Sequence, residues 1–257
     1  MKDKIVVFDS GLGGLNIYNA LTSKYPNENY IYFADELYLP YGTKSIEFLK
    51  QRIEGIIEYF KDAKAIIIAC NTASSIYSLL DLNYDNVYEI IDVTSKYAFE
   101  KSKNKKIGII ATNLTIELGM YQDKLNKLNA NPYPLKYSEL VDFIENRINV
   151  SEEEYIEIVN QSLSQKFTYF DNTNIDTLIC GCTHFGYLIN EYKKHLNVEN
   201  DITSEIAMLD FLKDKISFVN HEKPSRMIYT SSDSIEFQRK LSKMNIFENV
   251  KTIVVEH

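Results

Sequence analysis

Short apolar runs alternate with segments of helical periodicity along almost the whole chain, and two of those runs end on a cysteine. Ile66-Ile67-Ile68-Ala69 leads into Cys70-Asn71-Thr72-Ala73-Ser74, and Leu178-Ile179-Cys180-Gly181 leads into Cys182-Thr183-His184. A run of this kind reads as a buried parallel strand delivering its last residues to the carboxyl edge of a sheet. Ligands of open α/β sheets bind at that edge. Two such ends predict two thiols facing one pocket. That pair suits a reaction that takes a proton from one face of a carbon and returns one on the other.

The candidate strands are Ile5–Phe8, Tyr30–Ala34, Ala65–Ala69, Val87–Ile91, Lys106–Ala111, Thr177–Gly181, Arg226–Thr230 and Lys251–Val255. Between them, Ile46, Leu49, Ile53, Ile56, Ile57 and Phe60 recur at helical spacing. Ser151-Glu152-Glu153-Glu154 reads as a capping box opening a helix whose apolar face includes Tyr155, Ile158 and Leu163. The alternation predicts an α/β fold of parallel sheets covered by helices. The basic run Lys101-Ser102-Lys103-Asn104-Lys105-Lys106 separates the two cysteine segments. It reads either as a crossing between two lobes or as a solvated helix end and turn. Two related lobes, each supplying one thiol, is the simplest architecture.

Composition narrows the function classes. The 257 residues suffice for one large domain or two of ordinary size. A formal charge of −8, from 28 basic and 36 acidic side chains, argues against a nucleic-acid partner. It leaves room for a small anionic substrate, because backbone N–H groups bind carboxylates locally. No apolar stretch approaches a membrane span, and the run after Met1-Lys2-Asp3-Lys4 is too short for a signal-peptide core. Three cysteines are an odd number for a disulfide framework, so a reducing cytoplasm is expected.

Four stretches carry the chemistry. In Phe8-Asp9-Ser10-Gly11-Leu12-Gly13-Gly14-Leu15 a strand ends at Phe8 and a helix is expected to begin near Leu12. The glycines let the backbone approach a ligand, and the helix start favours a carboxylate or phosphate. A dinucleotide loop is the rival reading, but its third glycine would fall on Asn16. A purely structural turn is the other. In Ala34-Asp35-Glu36-Leu37-Tyr38-Leu39-Pro40-Tyr41-Gly42, Pro40 and Gly42 mark a turn whose N–H groups at Tyr41 and Gly42 could hold a carboxylate.

The third stretch is Cys70-Asn71-Thr72. A buried cysteine is often an inert small hydrophobe, yet Asn71 and Thr72 are costly in a core and useful as donors around an amino acid. In the fourth, Cys182-Thr183-His184, the histidine can stabilise a thiolate or relay its proton. The competing readings are a Cys-x-Cys-x-His metal site, tighter than common zinc spacings, and a Cys–His hydrolase, which leaves the Cys70 segment unexplained. Cys180 reads as packing, and His195, His221 and His257 as surface or incidental.

A free thiol has a pKa near ~8.5, so a proton-abstracting cysteine needs help at neutral pH. Asp9 is placed to assist the first thiol and His184 the second. No lysine stands in a recognisable pyridoxal-phosphate motif, so cofactor-free chemistry is expected, with no metal.

Taken together these motifs resemble the glutamate racemases of the aspartate/glutamate racemase superfamily, almost from end to end. Besides the four stretches, Ala111-Thr112-Asn113-Leu114-Thr115 is similar to the family's Ala-Thr-x-x-Thr segment, and Ile228 to Phe237 resembles its last strand-to-helix passage. The resemblance implies two α/β lobes, 1–97 with 210–257 and 98–209, with the active site between them. It implies Cys70 and Cys182 as paired acid/bases assisted by Asp9 and His184. It implies that Asp9, Ser10, Tyr41, Gly42, Asn71, Thr72, Thr112, Thr115, Thr183 and His184 bind glutamate. The product D-glutamate would feed peptidoglycan synthesis, and a homodimer is expected.

Three places depart from the family pattern. Phe185-Gly186-Tyr187 stands where Tyr-Pro-Leu is usual, Ile202-Thr203-Ser204 where Ile-Asp-Ser is usual, and the Tyr133 to Asp142 region is poorly kept. Asp142 or Glu139 would replace the glutamate that supports the family histidine. These departures keep two alternatives open: a racemase of aspartate or another amino acid, and a non-catalytic amino-acid-binding homologue.

Overall fold

The computed structural model describes residues 1–145, 151–243, 246 and 250–255; His257 lies outside them. The chain forms two compact units, Met1–Ile90 with Met208–His257, and Ile91–Ala207.

The first unit begins with β1 (Ile5–Asp9), α1 (Leu15–Lys24), β2 (Tyr30–Ala34), α2 (Ile46–Phe60), β3 (Ala65–Ile68), α3 (Asn71–Tyr77) and β4 (Val87–Glu89). Helix α4 (Ile90–Lys101) leads into the second unit. There follow β5 (Lys106–Ala111), α5 (Asn113–Leu118), α6 (Met120–Lys127), β6 (Asn131–Lys136), α7 (Glu139–Glu145), α8 (Glu152–Lys166), β7 (Thr177–Gly181), α9 (Ile189–His195) and β8 (Asn200–Ile202). Helix α10 (Ser204–Leu212) returns the chain to the first unit, which closes with β9 (Arg226–Thr230), α11 (Ser234–Lys243) and β10 (Val250–Thr252).

Both sheets are parallel throughout, with orders β10-β9-β2-β1-β3-β4 and β6-β5-β7-β8. The inner strands are continuous apolar runs because every residue of β1, β2, β3 and β7 is buried. Each sheet reverses direction beside its first strand. From β1 the chain steps to β2 on one side and then to β3 on the other; from β5 it steps to β6 and then to β7 across the far side. Such a reversal opens a crevice at the carboxyl ends of the two strands that flank it. In the first unit those strands are β1 and β3, and in the second β5 and β7.

Several boundaries differ from the sequence expectation. Helix α1 begins at Leu15 rather than near Leu12. The Asp9 carboxylate takes the Gly11 N–H at 2.9 Å, and the chain turns through Leu12 to Gly14 before helical bonds start. Ile90 and Ile91, expected in a strand, open α4 because the Ser74 hydroxyl accepts the Ile90 N–H at 3.3 Å. The last strand is Val250–Thr252 rather than Lys251–Val255. Two strands went unpredicted: β6 carries Pro132 and Pro134 and lies at a sheet edge, and β8 has only three residues.

On α8, Ser151 accepts the Glu154 N–H as expected, but the buried stripe is Tyr155, Val159 and Leu163, while Ile158 is 38% exposed. The basic run is a helix end and turn inside the second unit. Asp176 ties it down, accepting from the Ser102 hydroxyl at 2.6 Å and from the N–H groups of Lys103 and Asn104 at 2.7 and 2.8 Å.

Candidate active site

In the first unit, β1 ends at Asp9, so Ser10 is the first residue beyond it, beside the crevice. Strand β3 ends at Ile68, and Cys70 follows as the N-cap of α3. Register sets Phe8 beside Ile68, which brings the two strand ends together. The Cys70 sulfur lies 3.6 Å from the Ser10 hydroxyl and accepts the Ala73 N–H at 3.5 Å. A thiolate takes such a hydrogen bond better than a thiol does, and the start of a helix favours negative charge. Asp9 is fully buried and packs against Gly14, where an added Cβ would stand 2.6 Å from the Asp9 Cβ. That contact explains a glycine at this position. Asn71 and Thr72 occupy the first turn of α3 and are 3% and 4% exposed, so the helix start presents polar side chains inside the fold.

Strand β2 pairs with β1 and ends at Ala34, which puts Asp35 at the same edge. The loop beyond it runs through two single-turn helices, Glu36–Tyr38 and Tyr41–Thr43. Its anchor is a buried network that sequence reasoning missed. Arg52 on α2 forks onto both oxygens of Asp35, and Asp35 accepts the Tyr41 hydroxyl at 2.5 Å. Burial first, and then the Asp35 carboxylate, push the Tyr41 phenol well above its usual range. The phenol is thus a fixed donor within the loop. A signal was present: Arg52 sits among Leu49, Ile53 and Ile56 on the apolar face, where a cation needs a buried partner.

In the second unit, β5 ends at Ala111 beside Gly181, the last residue of β7. A Cβ on Gly181 would stand 2.9 Å from that of Ala111 and 3.1 Å from the Ile110 carbonyl, so the two strand ends run close. Thr112 caps α5, its hydroxyl 2.8 Å from that of Thr115, which is fully buried. Cys182 leaves β7 in extended backbone, 8% exposed, with its sulfur 3.8 Å from Nδ1 of His184. Thr183 starts the single-turn helical run Thr183–Leu188, and His184 is 4% exposed. The structure thus collects Asp9, Ser10, Tyr41, Gly42, Cys70, Asn71 and Thr72 in the first unit, and Thr112, Thr115, Cys182, Thr183 and His184 in the second.

Other residues resolve as follows. Cys180 is core, 2% exposed, packed in the cluster with Tyr192 and Phe185; burial, with Asp201 nearby, pushes its thiol well above the ordinary range. Phe185 is fully buried and receives the Tyr192 hydroxyl on its carbonyl at 2.9 Å, while Tyr187 is 39% exposed. The departure from Tyr-Pro-Leu therefore puts a ring in the core and another at the surface. Glu139 is exposed and paired with Lys166, and Asp142 is exposed on the same helix α7. His221, expected to be incidental, faces the buried Glu28 at 3.2 Å, where Lys64 also binds. His195 meets Asn160 at 2.8 Å. Among the described residues, no group of three or more His, Cys, Asp or Glu side chains could hold a metal ion. No described helix is long and apolar enough to cross a membrane.

No protein-family model matches the chain. The chain is 32% identical over 253 residues to the glutamate racemase of Aquifex aeolicus, covering 96% of both. Its fold is similar to a glutamate racemase isoform from Bacillus anthracis, with a TM-score of 0.88 and 27% identity over 99% of both chains. It is also similar to the Francisella tularensis glutamate racemase solved with D-glutamate, at a TM-score of 0.83 and 28% identity over 99% of this chain and 98% of that one. Two parallel, helix-covered sheets, each with a cysteine at a strand end beside its reversal point, and full-length likeness above 30% lead to one assignment: the chain belongs to the glutamate racemase family of isomerases.

Proposed function

We propose that the protein interconverts L-glutamate and D-glutamate without a cofactor, using Cys70 and Cys182 as two acid/bases on opposite faces of Cα. One thiolate takes the α-proton. The opposite thiol gives a proton to the other face, so one sulfur ends protonated and the other ends as thiolate. Running the step backwards exchanges the roles. Asp9 and His184 assist the transfers at the first and second sulfur. Ser10, Asn71, Thr72, Thr112, Thr115 and Thr183, with the backbone of Tyr41 and Gly42, hold the substrate.

The observation that carries this reading is the seat of Cys70. Its sulfur stands at a strand end beside the sheet's reversal point, receives a backbone N–H at 3.5 Å and lies 3.6 Å from a serine hydroxyl. Cys180, by contrast, lies inside β7, 2% exposed and packed in the core. The Cys182–His184 approach at 3.8 Å gives the second sulfur a proton-carrying neighbour. A relative solved with D-glutamate supports glutamate as the substrate. With that product, the enzyme supplies D-glutamate to peptidoglycan from the cytoplasm, as a homodimer.

The altered Phe185-Gly186-Tyr187 wall favours a second reading, racemisation of aspartate. Side-by-side turnover of L-glutamate and L-aspartate separates them. The proposal expects glutamate to be consumed far faster, and consumption of aspartate alone contradicts it.

A further inference from the structure

Arg52 heads the largest fully buried side chains described, and it lies on the otherwise apolar face of α2. A guanidinium remains in such a place only when its donors are met. Nε donates to Asp35 Oδ2 at 2.8 Å and Nη2 donates to Oδ1 at 2.6 Å, a planar two-point fork. Nη1 donates to the carbonyl of Val255, a residue 203 positions further along the chain. The Tyr38 ring lies under the guanidinium, its centre 4.8 Å from Cζ. Asp35 passes the restraint on by accepting the Tyr41 hydroxyl. An unbroken chain of hydrogen bonds therefore runs from Val255 through Arg52 and Asp35 to Tyr41.

We infer that Arg52 is a positioning residue for the loop from Asp35 to Gly42, and that the seating of the C-terminal tail at Val255 sets how firmly this loop presents its backbone to substrate. The inference rests on the reading that Tyr41 and Gly42 hold a substrate carboxylate. Its physical ground is the cost of an unmet buried donor. If the Val255 carbonyl leaves, Nη1 must draw in water or turn toward it. Either response loosens the fork on Asp35, and with it the hydrogen bond that fixes Tyr41. Tyr38 and Tyr41, both restrained by the network, lie on either side of Pro40, so slack in it is felt along the loop.

Two variants test this: Arg52→Lys, which keeps the charge but cannot fork, and a chain ending at Ile253, which keeps the Arg52–Asp35 pair and removes the Val255 carbonyl. Each is compared with the wild type for L-glutamate kinetics and for amide hydrogen exchange. We expect KM to rise about tenfold in both with kcat changed less than about twofold. Exchange should quicken at Tyr41, Gly42 and Thr43 while β1 and β3 keep their protection. A wild type that does not racemise glutamate removes the functional reading, and the exchange data then judge the positioning role alone. Unchanged KM and unchanged loop exchange in both variants, whatever happens to Tm, overturn the inference.

Discussion

The Ser10 hydroxyl lies 3.6 Å from the Cys70 sulfur although 60 positions separate the two residues. The contact follows from sheet order: β1 and β3 are neighbours with their carboxyl ends in register, and the reversal point falls between them. A hydroxyl there can donate to a thiolate or accept from a thiol, so it serves the sulfur in both protonation states. Ser10→Ala is expected to lower kcat/KM for L-glutamate about tenfold, the worth of one hydrogen bond to a charged group. Tm should move little, since the side chain is small. Steady-state kinetics with thermal melts check both points.

Gly14 has an ordinary backbone, and its constraint is space. A Cβ there would stand 2.6 Å from the Asp9 Cβ and 3.1 Å from that of Ala69, both on short, stiff neighbours. Gly14→Ala should destabilise the protein by about 1–3 kcal/mol and reduce activity by displacing Asp9. Urea melts and kinetics on one preparation test this; a neutral substitution would mean that α1 can shift without cost.

The three cysteines should separate cleanly. Cys180 lies inside β7, whereas Cys70 and Cys182 stand just beyond the ends of β3 and β7. Cys70→Ala and Cys182→Ala should each abolish racemisation and leave the circular dichroism spectrum intact. Cys180→Ala should cost about 1 kcal/mol of stability for its small cavity and leave turnover near wild type. Wild-type turnover in either of the first two variants contradicts the two-sulfur scheme.

The inner strands were legible because a strand buried on both faces writes an unbroken apolar run, as Ile5 to Phe8 and Ala65 to Ile68 do. β6 was hidden by its two prolines, which an edge strand tolerates, and β8 by its length. The candidate site residues were legible by type and position. Their partners were not, because sheet order brings Ser10 to Cys70, and the packing of helix α2 brings Arg52 to Asp35. Ile158 shows the limit of helical periodicity, since residues on the flank of a stripe are assigned only by what packs against them.

Asp176 gives a pH test. Burial alone would raise its carboxyl, but donation from Ser102, Asn104, Thr177 and Lys103 outweighs that and holds it below the ordinary carboxylate range. A lowered folded value means that this stabilisation is complete above the unfolded pKa of about 3.9 and is lost as pH falls through the folded value. Asp176→Asn should therefore cost about 1–3 kcal/mol near neutral pH. The gap between variant and wild type should close below about pH 4. Denaturant melts at several pH values check this, and a gap that widens in acid would reverse the sign.

The most direct test of the central claim is incubation of the reduced protein, with no added cofactor, with L-glutamate in D₂O, following optical rotation and the α-proton NMR signal together. Two sulfurs acting on opposite faces predict that rotation decays to zero while deuterium from solvent enters Cα. Unchanged rotation with an intact α-proton signal would contradict the account.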